Sequence, residues 1–334
     1  MIEIDGITAG GQLLRTAAAL SVLTGKPFKI INIRGARPQS GLKAQHMEVI
    51  KALGKLCNAE ITGLELGSEE IEFIPNKFVE KDLTIKIPTA GSIGLLLNAL
   101  LIATYNKSIK IKVYGGGTWN KWAPPVLYLK KVLFPLIGEK TEINIIRDGF
   151  YPQGGAEVEV ISKPFEINKI DILRRGEIKE INGYSIASSI LKKNKVAERQ
   201  KECAEKLLKK EFQVPINIQI SYVDSISPGS GILLVMKTEN SIIGADCVGE
   251  KGKSSENIAT EAVNNLIFES RKAGVDKHAG DMLLPYIALA GKGRYKTSMI
   301  TNHTISNADI VNRFLDVKIR IIGDQGGMGI ISLS

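Results

Sequence analysis

The chain has 334 residues, 44% hydrophobic and 24% charged, an ordinary globular composition with enough material for one large domain and a smaller one. A net charge of +9 favours a polyanionic partner such as nucleic acid or nucleotide. Cys57, Cys203 and Cys247 stand far apart with no CxxC or Cys/His cluster, which argues against a disulfide framework or zinc site and for a reducing cytoplasmic setting. The first residues lack the order of a signal peptide, and the apolar stretch around Gly94 to Tyr105 is too short to span a bilayer, so no membrane partner is expected.

Along the chain, an internal repeat organises the elements. The segment AGGQLLRTAAALSVLTGKPFKIINIRG from Ala9 and the segment AGSIGLLLNALLIATYNKSIKIKVYGG from Ala90 superpose without a gap. Lys26 falls on Lys107, Lys29 on Lys110 and Gly35 on Gly116. Each copy reads as an AG pair, an apolar helix, a Lys-containing turn and an alternating strand. A fainter third copy, AGDMLLPYIALAGKGRYKTSMITNH, starts at Ala279. Helices follow each copy: one with Val49, Ile50, Leu53 and Leu56 at helical spacing, then VLYLKKVLFPLIG, then ADIVNRFL. Each leads to a strand, ITGLELG, EINIIRD or VKIRIIG, so each unit is roughly β-α-β-α-β. Alternating strands need a helical layer over one face, and three such units close one α+β domain.

The stretch from about Ile178 to Ala273 does not fit the repeat. A helix from Val196, strands INIQISYV and ILLVMKT around the turn SISPGSG, and a helix NIATEAVNNLIFES make it a small inserted α/β domain. The expected division is 1–177 with 274–334 for the large domain and 178–273 for the insert.

The chain holds three histidines. His46, in AQHMEV, reads as a helix-surface residue. His278 precedes the third AG pair and suits a ligand contact. His303, in TNHTISN, reads as part of a polar loop after the third copy's strand, at the place where the first copy has Arg34 and Arg37. Pseudo-symmetric units bring equivalent loops together, so His303 is expected to share a cleft with these arginines. Arg15 begins a glycine-led helix whose first turn has free N–H groups, a good anion site. Arg34 and Arg37 offer planar cationic forks suited to phosphate. GEKGKSS from Gly249 has the wrong spacing for a phosphate-binding GxxxxGK[ST] loop, and YGGGTW does not form GxGxxG. Trp119 and Trp122 are open to two readings, base stacking or hydrophobic cover.

The ordered blocks IDG…GGQLLRT, TGKPF with NIR and RP, GL with QH, TAGS, GGGT…APP, GFYP with GG, VAER, VGEKGK and GDMLLP…ALAG followed by NH run from about Ile2 to Leu315. Together they resemble the RNA 3'-terminal phosphate cyclases. The resemblance implies three βαβαββ repeats with a small inserted α/β domain. It implies ATP-dependent conversion of an RNA 3'-phosphate to a 2',3'-cyclic phosphate through a covalent histidyl-AMP. His303 falls on the family's nucleophile. Arg15, Asn98, Pro124, His278 and Asp281 fall on nucleotide-binding positions, and Arg34, Arg37 and Gln45 on positions that bind RNA phosphate. The implied partners are ATP and RNA 3' ends, with a divalent metal (Mg or Mn) as cofactor. The family's GEGGGQ loop is DGITAGGQ here, so its metal-binding glutamate has no counterpart, Ala9 or nothing standing there, and Trp119 replaces an acidic residue usual after GGT. Two rivals follow: a non-catalytic cyclase-like RNA-binding protein acting in ribosome assembly, and an enolpyruvyl transferase built on a similar repeat.

Overall fold

The computed structural model describes residues 1–8 and 10–333. The first unit runs β1 (Ile2–Asp5), α1 (Gly11–Thr24), β2 (Phe28–Ile31), α2 (Ala44–Cys57), β3 (Glu60–Thr62) and β4 (Ile71–Ile74). The second runs β5 (Leu83–Ser92), α3 (Ile93–Ala103), β6 (Lys110–Gly117), a helical rod, β7 (Glu142–Arg147) and β8 (Glu157–Ile161). The rod joins α4 (Val126–Tyr128), a π-helical turn (Leu129–Leu133) and α5 (Phe134–Ile137).

The third unit opens with β9 (Asp171–Ile172). An excursion follows through β10 (Ile178–Ser188), a 3-10 turn (Ser189–Asn194), α6 (Val196–Glu211), β11 (Ile216–Val223), β12 (Ser230–Thr238), β13 (Ile242–Val248) and α7 (Ser255–Ser270). The unit then resumes with α8 (Lys277–Met282), α9 (Leu284–Leu289), β14 (Gly293–Thr297), α10 (Asn302–Leu315), β15 (Arg320–Ile322) and β16 (Gly329–Leu333).

The three units share one strand order: β1-β2-β4-β3, β5-β6-β8-β7 and β9-β14-β16-β15. In each, the first two strands are parallel around a crossover helix, and the remaining pairings are antiparallel. The pattern expected from periodicity, β-α-β-α-β, was therefore one strand short. The extra strands β4, β8 and β16 alternate in burial but are only four or five residues long, too short to stand out in a periodicity search. The third unit's first strand was invisible for another reason: only two residues long, it is cut off from its helix by the whole excursion.

Helix α1 packs on α2, α3 and α10, which makes it the hub of the helical layer. Ala17, Ala18 and Ala19 are fully buried there, and their small side chains let the neighbouring helices approach. Helix α3 is apolar on nearly every side, as a helix enclosed by others must be. One continuous core joins residues of all three units.

The fourth sheet, β11-β10-β12-β13, keeps a core of its own with α6 and α7 on one face. Leu233 and Val235 of its strand β12 belong instead to the main core, so β12 is buried on both faces. Its glycines form the joint. A Cβ on Gly244 would come within 2.7 Å of the Tyr128 ring and 2.8 Å of Val132. Beside it, the Tyr128 hydroxyl donates to Asp276 Oδ1 at 2.6 Å, and Gly244 N–H donates to Oδ2 at 2.9 Å. Strands β10 and β13 were not recognised in the sequence; β10, the partner of both β11 and β12, carries Gly, Asn and Ser among its apolar positions.

Candidate active site

The site forms where α1 and α10 begin. Gly10 is the N-cap of α1, and among the described residues no side chain caps the first-turn N–H groups. A Cβ on Gly10 would lie 3.3 Å from Cε1 of His303. Glycine thus lets the imidazole rest against the anion-attracting end of α1.

His303 is not in a loop, as its polar neighbours suggested. Helix α10 starts at Asn302, because Thr301 caps it: its Oγ1 accepts from the N–H groups of His303 and Thr304, both at 3.0 Å. The same hydroxyl donates to Asp281 Oδ1 at 2.7 Å, and Thr304 Oγ1 donates to that oxygen at 2.6 Å. Asn307 donates to Asp281 O and accepts from Thr16 of α1, which locks α8, α10 and α1 together. The result is an exposed imidazole on a backbone held from several directions. Partial burial by the surrounding protein, then the charges of Arg15 and Arg37, lower its pKa below 6.5.

Arg15 is 8% exposed, and its Nη2 donates to Gln12 Oε1 at 2.8 Å. Burial drops its pKa to about 10, still far above neutrality, so it stays charged. Among the described residues no carboxylate forms an ion pair with Arg15, Arg34 or Arg37. A buried guanidinium without a counter-ion is costly, and an anionic ligand removes that cost. Arg34 adopts a left-handed backbone (φ 57°) and donates to Gly41 O at 3.1 Å, while Arg37 N–H donates to Arg34 O at 2.9 Å. Arg34's own pKa is lowered by partial burial and by Arg37, the mark of two like charges held close.

His46 is not a helix-surface residue. It is 3% exposed, and its ring occupies the space a side chain at Gly11 would need. Its Nδ1 accepts from Lys43 N–H at 3.2 Å, which requires the neutral imidazole. Burial, then Arg15, Arg34 and Lys43, push its pKa down to about 3. Sequence reasoning missed its role because the reason for burial, a glycine in a different helix, is remote in the chain. Gln12 carried a signal that was overlooked: it stands one helical turn before Arg15, where its amide meets the fork.

The remaining candidates line adjacent walls. His278 follows the α8 cap Asp276, which accepts from the N–H groups of His278 and Ala279. Burial first, then Lys277 and His303, hold its pKa down at about 4, so it is neutral and close to His303. Asp281 is raised to about 7 by burial, against the lowering effect of its two threonine donors. Gln45 is exposed at the start of α2 and lies 3.3 Å from the Cβ position of Gly91, which ties the first unit's site to the second unit's turn. Pro124 packs its carbonyl 2.9 Å from the Cβ position of Gly94 in the first turn of α3. Asn98 is 5% exposed within α3, and its Oδ1 has no hydrogen-bond partner. Trp119 is buried cover, and Trp122 is open to solvent.

Ala9, the one residue that could stand where the resemblance places a glutamate, lies outside the described residues. Among the described residues no group of three or more His, Cys, Asp or Glu is placed to hold a metal. Asp281, beside the histidine helix, is a poor ligand, because one oxygen already serves two hydroxyls and burial favours its protonated form. The donor set does not fit a protein-held divalent ion.

These features define an α+β repeat protein in which a histidine of lowered pKa lies against the glycine-capped start of α1, near arginines that have no carboxylate partner among the described residues. The family model for RNA 3'-terminal phosphate cyclase matches residues 7–321. The RNA 3'-terminal phosphate cyclase of Saccharolobus solfataricus is 40% identical over 333 residues, covering 97% of each chain. That of Thermococcus kodakarensis is 41% identical over 338 residues, 98% of this chain and 96% of the relative. That of Pyrococcus furiosus is 42% identical over 338 residues, 98% and 97% respectively. The chain belongs to the RNA 3'-terminal phosphate cyclase family. Among the described residues no helix is long and apolar enough to cross a membrane.

The close approach at Gly10 carries a prediction. Gly10→Ala places a methyl at 3.3 Å from the imidazole, so the ring must shift by a few tenths of an ångström. For the histidyl-AMP that the sequence resemblance implies, covalent labelling by ATP is expected to slow by about ten-fold with little change in Tm. A labelling rate equal to wild type would show that the contact places no constraint on the ring.

Proposed function

We propose that this protein uses ATP to convert an RNA 3'-phosphate into a 2',3'-cyclic phosphate through histidyl-AMP on His303. The observation that carries the reading is the imidazole itself: its pKa is held below 6.5, and it is set against the open end of α1 beside a buried arginine that lacks a counter-ion. A neutral imidazole is a competent nucleophile at pH 7. One of its nitrogens attacks the α-phosphorus of ATP, the bond to the β-phosphate oxygen breaks, and pyrophosphate leaves. The charge gathering on the phosphate oxygens is met by Arg15, Arg34, Arg37 and the α1 N–H groups. An oxygen of the RNA 3'-phosphate then displaces the histidine from phosphorus and forms a phosphoanhydride. Finally the adjacent 2'-OH attacks the 3'-phosphorus and expels AMP, a step governed by proximity.

Asn98, Pro124, His278 and Asp281 are assigned to the adenylate side, and Arg34, Arg37 and Gln45 to the RNA phosphate. Residues 178–273 are taken as an inserted domain, supported by their separate core. A divalent ion, Mg or Mn, is expected to arrive on the phosphates of ATP, and no step above is routed through it. The cytoplasm is the proposed location.

The test is incubation with ATP and an RNA bearing a labelled 3'-phosphate. Label that becomes phosphatase-resistant, with AMP formed in equal amount, is the expected result. The glutamate-free first loop favours one rival, a non-catalytic RNA-binding protein of ribosome assembly. RNA binding with neither protein-bound AMP nor cyclic product would decide for it.

A further inference from the structure

Among the described residues the two most exposed large hydrophobic side chains are both aromatic, Trp122 at 88% and Tyr151 at 80%. They lie 29 positions apart in the chain, yet on adjoining turns of the second unit. Trp122 and Lys121 form the tip of the turn closed by Asn120 and Ala123. Tyr151 is at the tip of the turn closed by Phe150 and Gly154. The bases of the turns are joined, because Thr118 N–H donates to Gly149 O at 2.9 Å and Thr118 Oγ1 donates to Asp148 at 2.5 Å.

Each turn is also anchored by a buried aromatic. Trp119 fills the space over Gly231 and Phe150 the space over Gly229, both glycines at the start of strand β12. Each turn thus has one ring fixed in the core and one ring held out in water.

This rim is continuous with the candidate site. Asn120 Nδ2 donates to Ala90 O at 2.8 Å, and the Cβ position of Gly154 lies 3.0 Å from Ala90 Cα. The neighbouring Gly91 touches Gln45, and Pro124 stands two residues beyond Trp122. Exposing two large rings is unfavourable for a monomer in isolation, and rigid mounting on a functional rim marks them as a contact surface. The charge around them selects the occupant. The chain carries +9, Lys121 Nζ sits 5.6 Å over the Trp122 ring while paired to Glu250, and Gln45, against Gly91, directly precedes His46, whose pKa Arg15 and Arg34 help to lower. Aromatic rings beside a cationic groove are what single-stranded nucleic acid requires.

We propose that Trp122 and Tyr151 form a stacking platform for unpaired bases of RNA upstream of the 3' end handled at His303. The inference deepens the cyclase reading and rests on it for the position of the 3' end. Stacking is tolerant of base identity, so the platform takes single-stranded RNA of any sequence.

The experiment uses the full chain, Trp122→Ala, Tyr151→Ala and the ring-keeping Trp122→Phe and Tyr151→Phe. Dissociation constants are measured by anisotropy for a fluorescent ten-nucleotide single-stranded RNA with a 3'-phosphate and for a dinucleotide 3'-phosphate. Each alanine variant is expected to bind the ten-mer about ten-fold more weakly, with each phenylalanine variant within about three-fold of wild type. Affinity for the dinucleotide and labelling by ATP are expected to be unchanged. Ten-mer binding equal to wild type in both alanine variants overturns the platform. So does a change of oligomeric state in those variants with RNA affinity intact, which would make the rings an interface between copies. Loss of wild-type labelling by ATP, with the ten-mer effect present, overturns the catalytic reading and leaves the platform standing.

Discussion

His303→Ala is expected to abolish acid-labile labelling of the protein by α-labelled ATP, with RNA binding kept. No other histidine in the chain can replace it. His46 is enclosed over Gly11 with Nδ1 already accepting a backbone N–H, and its pKa of about 3 records burial rather than reactivity. His278 is partly enclosed behind His303. The side chain at 303 is exposed at the N-terminus of α10, so its removal costs little folding free energy, within about 0.5 kcal/mol. A denaturing gel after incubation decides the matter, and persistent label in the alanine variant would rule out this nucleophile.

The pH profile supplies an independent check. Only the neutral ring attacks, so labelling falls as pH drops through the imidazole pKa. Because that pKa lies below 6.5, with Arg37 among its causes, wild-type labelling should hold up down to pH 6.5. Arg37→Gln removes one lowering charge, so the acid limb should move to higher pH. A limb that moves the other way would contradict the assigned electrostatics.

Arg15→Met is expected to separate function from stability. Arg15 has a folded pKa of about 10, below its ordinary value of 12.5, so the charged form present at pH 7 is the one folding disfavours. That cost persists at all pH values below about 10 and fades only above it. Methionine removes the charge at similar volume. The gain is offset in part by Gln12, which loses its partner at a cost of about 1 kcal/mol. The ligand-free variant should therefore melt at or above the wild-type temperature, as replacement of buried charge by apolar groups commonly gives.

Its labelling by ATP should fall by about 100-fold, the scale of losing one preorganised donor to a charged transition state. Pyrophosphate offers a second readout. At 100 times its dissociation constant a ligand stabilises the wild type by about 2.7 kcal/mol, and the variant should lose most of that shift. Equal stabilisation of both proteins by pyrophosphate would show that Arg15 is not part of the anion site.

The amino-acid sequence by itself determined much of this. The helix and strand periods, the gapless match of the first two units and the glycine-led start of α1 are local properties, set by side chains a few residues apart. Arg15 at that helix start, and Arg34 and Arg37 at the end of the first copy, were legible as candidate phosphate ligands for the same reason. The ordered motifs supplied the family.

Tertiary structure decided what depends on contacts remote in sequence. His303 is helical because Thr301 caps α10 while held by Asp281 of α8, and His46 is buried because Gly11 of α1 leaves room for its ring. The lone strand β9 completes a sheet only when β14 arrives over 120 residues later. Trp119 and Trp122, three residues apart and alike in sequence, take opposite fates because Gly231 receives one ring and nothing covers the other. Burial is a property of what arrives from elsewhere in the chain. A single sequence records local propensity directly and such arrivals only indirectly.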